Sequence, residues 1–332
     1  MSATLAIFLQ LALATAESIP ATPAIVTPPA QAETANSDSG PLYASATRTD
    51  RIGRVMAPVL INGQGPYRLV VDTGASHSTF SPRLVAALGL SPSLESPIIL
   101  NGVTGAASVP SVSVKRIQAG DMIVKDVQVP VVWSSIMAGA DGILGVAGLR
   151  SERILVDFRR DRIVITRSGS NIDRGAYLRI PARLVAGGLL MVDVRIGGVS
   201  ARAVVDTGAE RTLGNAALRD ALRARKHGKA ARWANTEVYG ATTEVANGEA
   251  SVAPPIKIGP AIINGTEVVY GDFHIFKLWN LDKRPAALIG MDVLGTVGAL
   301  VVDYSRRELL LDVGANTSRA TNIVRDAPGS RL

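Results

Sequence analysis

Tyr67-Arg-Leu-Val-Val-Asp-Thr-Gly-Ala75 returns later in the chain as Ala201-Arg-Ala-Val-Val-Asp-Thr-Gly-Ala209. Each copy follows a strand-like run and a glycine turn, PVLINGQGP in the first and VDVRIGGVS in the second. Each precedes a helical-looking stretch, Pro82 to Leu88 and Ala216 to Arg223. A second landmark recurs in the same order. Asp141-Gly-Ile-Leu-Gly145 leads to Leu155-Val-Asp157-Phe158, and Ala287-Leu-Ile-Gly290 leads to Val301-Val-Asp303-Tyr304. Apolar strands close both copies, Ile163-Val-Ile165 and Leu309-Leu-Leu311. Two motifs in one order in both halves mark a duplicated unit. Asp to downstream Gly spans 73 residues in the first copy (145 − 72) and 84 in the second (290 − 206), so the second has gained loop length between shared landmarks.

The rest of each copy reads as short Val- and Ile-rich strands, among them Val109 to Val114, Met122 to Val132, Ala253 to Ile258 and Glu267 to Tyr270. Hydrophobic residues are 47% of the 332 but aromatics only 4%, so the core must rest on Val, Ile, Leu and Ala. With 32 Gly and 18 Pro to make turns, this predicts an all-β chain rather than a helical bundle. The formal charge is +7, and the densest basic run, Arg219 to Arg232, has no aromatics interleaved. It reads as a solvated helix face, with no nucleic-acid partner. Cysteine is absent, which excludes disulfides, thiolate metal sites and Cys nucleophiles. His77, His227 and His274 lack ligand spacing, and no G-x-S-x-G or Gly-rich phosphate loop occurs. No metal and no cofactor are expected.

At the N-terminus, Leu5 to Leu13 is apolar apart from Gln10, and Ala14-Thr15-Ala16 offers small residues for a signal peptidase. No Lys or Arg precedes the stretch, a departure from the usual pattern. Residues 1–16 are read as a signal peptide and 17–48 as a disordered Pro- and Ala-rich linker. The N-terminal lobe is expected over 49–167, a hinge over 168–176, the C-terminal lobe over 177–313 and a polar tail over 314–332. The mature protein is expected in the periplasm or outside the cell, without a membrane span.

Val-Val-Asp-Thr-Gly-Ala has a direct physical reading. A β-branched run carries the carboxylate to the end of a buried strand. Gly two residues on permits a tight turn or close backbone approach, and Thr between them can brace the loop with its hydroxyl. Two copies about a pseudo-twofold axis face Asp72 against Asp206. Carboxylates at short range share one proton and titrate as a pair. One then serves as general base on a water, while the other, protonated, polarises a scissile carbonyl.

These residues make the chain similar to aspartic peptidases of the retropepsin and pepsin type, and most like bacterial aspartyl proteases built from tandem retropepsin-like repeats. The similarity covers residues 49 to 313. It includes the hydrophobic-hydrophobic-Gly elements Ile143-Leu144-Gly145 and Leu288-Ile289-Gly290. It implies an all-β, bilobal pepsin-like arrangement of two retropepsin-like β-barrel lobes with short helices. Asp72 and Asp206 would be the catalytic dyad, and Thr73 and Thr207 would cross-brace the loops. Gly74 and Gly208 would approach the substrate main chain, with Ala75 and Ala209 completing the supporting loops. A flap would close over the substrate. Its candidates are Asn101-Gly-Val-Thr-Gly105 and Tyr239-Gly240-Ala-Thr-Thr243, which put Gly102, Gly105, Tyr239 and Gly240 beside the bound chain.

The copies also differ. Ser76-His77 becomes Glu210-Arg211, so Ser76 and Glu210 are expected to make the cleft asymmetric, with Glu210 on substrate or paired to Arg211. Ala follows Asp-Thr-Gly in both copies, where pepsin-like lobes carry a hydroxyl, and this predicts a mildly acidic optimum. Asp157 and Asp303 read as turn residues or ion-pair partners of Arg159 and Arg306. Trp133, Trp233 and Trp279 read as core or cleft wall. The expected function is monomeric aspartic endopeptidase action on a polypeptide. The alternative is a catalytically silent peptide- or envelope-binding module on the same fold.

Overall fold

The computed structural model describes residues 43–46, 48–49, 54–119, 122–133, 137–149, 151–169, 177–185, 187–225, 232–313 and 323–325. The expected signal peptide, most of the linker and tail, and hinge residues 170–176 lie outside the described residues. Structure nevertheless begins before residue 49. Tyr43–Ala46 pairs antiparallel with Arg162–Arg167, and Arg48–Thr49 pairs with Val55–Ile61. The expected polar tail likewise contributes Ile323–Arg325, paired with Ala261–Ile263. Both short segments supply backbone hydrogen bonds that composition does not announce.

The chain is mostly β, and the duplication is visible in its pairing. In the first repeat Val55–Ile61 and Gln64–Val71 form a hairpin, and Gln64–Val71 runs parallel to Gly142–Leu144. In the second, Leu189–Ile196 and Val199–Val205 form the hairpin, and Val199–Val205 runs parallel to Ala286–Ile289. The registers match, Val71 with Leu144 and Val205 with Ile289. Continuous Val and Ile runs suit such strands because both faces are covered. Between the repeats lies a six-stranded antiparallel floor. Its order is Tyr43–Ala46, Arg162–Arg167, Glu152–Asp157, Ala299–Asp303, Glu308–Asp312 and Leu178–Val185. Glu152–Asp157 of one repeat bonds directly to Ala299–Asp303 of the other, so the two halves share one sheet.

The lobes are not closed barrels, which corrects the expected barrel form. In the first lobe the strand path starts at Thr79–Phe80 and ends at Ser93–Asn101, these ends do not pair, and an isolated parallel bridge from Phe80 to Val131 stands in place of a continuous seam. Ser93–Asn101 instead forms a projecting hairpin with Ala106–Ala119. One apolar core runs through both lobes and the floor, including Val71, Leu144, Val205, Ile289, Leu300 and Val302. Its fully buried side chains are mostly aliphatic, as the composition requires.

Short helices follow each Asp-Thr-Gly loop, at Pro82–Ala87 and Ala216–Ala224. Ser81 Oγ accepts from Leu84 N–H at 3.2 Å and Asn215 Oδ1 from Leu218 N–H at 2.8 Å, so each start is capped. The basic run is not a wholly solvated face. The helix ends at Ala224, Arg219 and Arg223 both pair with Glu249, and Arg223 lies over the Trp233 ring. Trp233 packs on Tyr270 and Trp279 meets Phe276 edge-on, whereas Trp133 is exposed. Asp157 and Asp303 end their strands, and each accepts from the backbone of the turn that follows. Asp157 pairs with Arg160, while the Arg159 guanidinium goes to Asp312, correcting the expected partner. Asp303 accepts from the Ser168 hydroxyl and from the Arg306 backbone N–H, not from its guanidinium.

Candidate active site

Asp72 and Asp206 each sit one residue past a buried strand whose end is tied to the parallel strand beside it. Asp72 N–H donates to Leu144 O at 3.1 Å, and Asp206 N–H to Ile289 O at 3.0 Å. The loop then returns past a glycine. Val146 N–H donates to Ala75 O at 2.9 Å, and Met291 N–H to Ala209 O at 2.8 Å. Any side chain on Gly145 would collide with the His77 backbone, and one on Gly290 with Arg211 C at 2.6 Å. This steric limit is the reason for Gly in both hydrophobic-hydrophobic-Gly elements.

Thr73 and Thr207 lock the two loops together. Thr73 Oγ1 donates to Val205 O at 2.7 Å, and Thr207 Oγ1 donates to Val71 O at 2.6 Å. In return Thr207 N–H donates to Thr73 Oγ1 at 3.0 Å, and Thr73 N–H to Thr207 Oγ1 at 3.1 Å. All four bonds are buried, where a lost partner costs most. The brace brings the carboxyl groups of Asp72 and Asp206 side by side, close enough to interact, each against the glycine of the opposite loop. Gly74 N–H donates to Asp72 Oδ1 at 2.8 Å. Gly208 and Ala209 N–H donate to Asp206 Oδ1 at 2.8 and 3.0 Å. A methyl on Gly74 would overlap the Asp206 carboxyl, and one on Gly208 the Asp72 carboxyl.

The pair is electrostatically unequal. Burial, then the neighbouring Asp72 carboxyl, pushes Asp206 well above the ordinary carboxylate range. Burial raises Asp72 too, but the neighbouring Asp206 carboxyl, the Gly74 N–H and the positive charge of Arg54 oppose it. The pair therefore shares one proton, and the charge of Arg54 favours the anion at Asp72. Arg54 is buried, and its Nη1 donates to Gly208 O at 3.4 Å. By register, Leu189 takes its place in the second repeat, so the cation acts on one side only. Replacing Arg54 with Leu is expected to raise the lower of the pair's two apparent pKa values, read by NMR titration of the carboxyl carbons, while the higher stays near its place. A lower titration that does not move would remove Arg54 from the account.

The two hairpin tips meet. Thr104 Oγ1 and Thr242 Oγ1 are 3.0 Å apart, Gly102 faces the Ala241 and Thr242 backbone, and Gly240 faces Thr104. Gly105 lies against the Glu244 carboxylate, and His274 Nε2 is 3.2 Å from Asn101 Oδ1. Val103 packs with the apolar cluster that includes Leu213, Leu288 and Ala209. Leu100 packs with that of Val70, Ile143 and Ala75. Of the other candidates, Ser76 Oγ faces Gly187, and Tyr239 is exposed with its hydroxyl on Glu237. Glu210 is exposed, and Arg211 pairs with Glu267 at 2.5 Å rather than with Glu210.

Three features were not read from the sequence. Ser78 and Thr212 each stand six residues past the Asp, and each hydroxyl accepts from the Gly of its own repeat, Gly145 at 3.2 Å and Gly290 at 3.1 Å. That shared offset was a usable signal. Asp292 holds Thr212 through both its N–H and its hydroxyl, and only the second repeat has this bond. Tyr304 is buried with no hydrogen-bond partner for its hydroxyl among the described residues. Burial, with the negative charge of the aspartate pair, holds its phenol neutral.

A search of curated proteins finds no significant match to the chain. The sequence profile of the family described as aspartyl protease matches residues 57–147 and again 192–293, one match in each repeat. Together these stretches cover more than half of the chain and contain both Asp-Thr-Gly loops. With its two repeats joined as described, this chain belongs to the aspartyl protease family.

Proposed function

We propose that the chain is an aspartic endopeptidase that hydrolyses peptide bonds with water activated by Asp72 and Asp206. The observation that carries this reading is the juxtaposition of two carboxyl groups, Asp206 buried and Asp72 half-buried, each lying against the glycine of the opposite Asp-Thr-Gly loop. Asp72, the anion, takes a proton from the attacking water. Asp206 donates its proton to the carbonyl oxygen as the tetrahedral intermediate forms, and each then reverses its role as the amine leaves. The backbone donors at Gly74, Gly208 and Ala209 fix the carboxyl planes, so little reorganisation accompanies the reaction. The meeting hairpins support an extended peptide bound as a strand beneath them, with the tips parting to admit it.

Both aspartates come from one chain, which supports activity as a monomer. The leader-like residues 1–16 support export to the periplasm or beyond. Incubation of the purified protein with a diverse peptide library at several pH values tests the activity. Internal cleavage is expected from the wild type and not from Asp72→Asn. Binding of a statine-type mimic without cleavage at any pH would favour a silent binding module instead.

A further inference from the structure

A cleft of about 740 Å³ opens on the second lobe, away from the aspartate pair. Its floor is one face of Leu189–Ile196, Val199–Val205 and Ile256–Ile258, with Arg284 at the rim. Pairing settles which side chains are neighbours. Lys257 stands directly opposite Arg195, and Arg195 directly opposite Ser200. Arg202 stands between Asp193 and Ala286, and its N–H donates to Pro285 O at 3.2 Å, which brings Arg284 to the same edge. Four cations thus share a strip four strands wide, roughly 14 Å at the usual spacing.

The one acid lining this cleft among the described residues is Asp193, and Arg183 holds its carboxylate at 2.6 Å. Among those residues Arg195, Arg202 and Arg284 form no ion pair.

The first repeat supplies an internal comparison. Its registers place Leu60 opposite Gln118 where the second repeat places Arg195 opposite Lys257. Beside Arg68, the counterpart of Arg202, stands Asp141, where the second repeat has Ala286. Gly139 stands where the second has Arg284. The same scaffold therefore forms without these three cations and with an acid among them. The second copy carries Arg195, Lys257 and Arg284 at these places, and its one acid here, Asp193, stands opposite Arg202 where the first copy has Pro58 opposite Arg68.

We infer that this cleft is an anion site for a ligand bearing phosphoryl groups, separate from the peptide-cleaving centre. Arg202 precedes Asp206 by four residues of strand, about 13 Å at the usual rise. A phosphoryl group presents oxygens in several directions. It can therefore accept from Lys257 and Arg195 on one side and from Ser200, Arg202 and Arg284 on the other, where a planar carboxylate satisfies one fork.

The probe is inorganic tripolyphosphate, titrated calorimetrically into the full chain with thermal unfolding followed in parallel. The comparison is Arg195→Leu with Lys257→Gln, which installs the pair found in the first repeat. Saturable binding and a raised Tm are expected for the wild type, with affinity at least about tenfold weaker in the double variant. Arg284→Gln, at the exposed rim, gives the same direction should the double variant fail to fold. Co-sedimentation with phosphatidic acid vesicles, and not with phosphatidylcholine, would assign the phosphoryl group to a lipid headgroup. Tripolyphosphate binding without co-sedimentation would assign it to a soluble ligand. Absence of saturable tripolyphosphate binding, equal affinity in the variants, or preference for poly-glutamate would overturn the inference.

Discussion

Asp206→Asn is expected to lower peptide cleavage by about 10³-fold or more while making the folded protein more stable at neutral pH. The first effect follows from chemistry. An amide cannot donate an acidic proton to the substrate oxygen, and it cannot alternate roles with Asp72 in the second half of the reaction. The second follows from linkage. Asp206 is held well above its ordinary range by burial and by Asp72. Such a group adds stability below its unfolded pKa and loses that contribution as pH rises through its folded pKa. Asn carries no charge to be desolvated, so the Tm advantage of the variant should grow with rising pH and shrink in acid. Cleavage assays and thermal unfolding across pH on the same preparation read both effects. A variant that is inactive yet gains nothing at neutral pH would mean that Asp206 is not the strained partner.

Gly290→Ala is expected to cost about 3 kcal/mol or more, since overpacking against backbone has little room to relax. For a folded unit of this size that corresponds to a Tm lower by about 5 °C or more. The backbone at Gly290 is extended, with φ −93°, so the penalty is not conformational. It comes from the added methyl, whose carbon would stand 2.6 Å from Arg211 C and 2.7 Å from Arg211 O. Those atoms belong to the loop that carries Asp206, and Gly290 N–H is also bound to Thr212 Oγ1. The loop must shift for the methyl to fit, so activity should fall with stability. Differential scanning calorimetry of the variant checks the first part. A Tm within a degree of wild type would mean that the loop and strand end give way easily.

The parts of the architecture that were legible are those that repeat. Two Asp-Thr-Gly loops, each with its hydrophobic-hydrophobic-Gly partner, were enough for the family and the all-β class, because strand burial and glycine contacts are local demands. The barrel form was not legible. Closure depends on how far Thr79–Phe80 pairs beyond its single bridge to Val131, and no residue in that strand declares its neighbours. Ion pairing was also read poorly. Of the two readings open for Asp157, the turn holds, since Arg159 gives it a backbone N–H but sends its guanidinium to Asp312 across the shared floor, and Arg211 reaches Glu267 rather than adjacent Glu210. Long side chains choose partners by fold, not by spacing.

By itself, the order of residues determined that this chain holds two copies of one strand-loop-strand unit, each ending in a carboxylate backed by glycine. Only the tertiary structure decided that the copies are unequal. It set Arg54 beside one aspartate and Leu189 at the matching place, and it gathered Arg195, Lys257, Arg202 and Arg284 onto a single face. Repetition is written along the chain and can be found by comparing it with itself. Differences in field arise between residues far apart in sequence, and they exist only once the strands have been laid side by side.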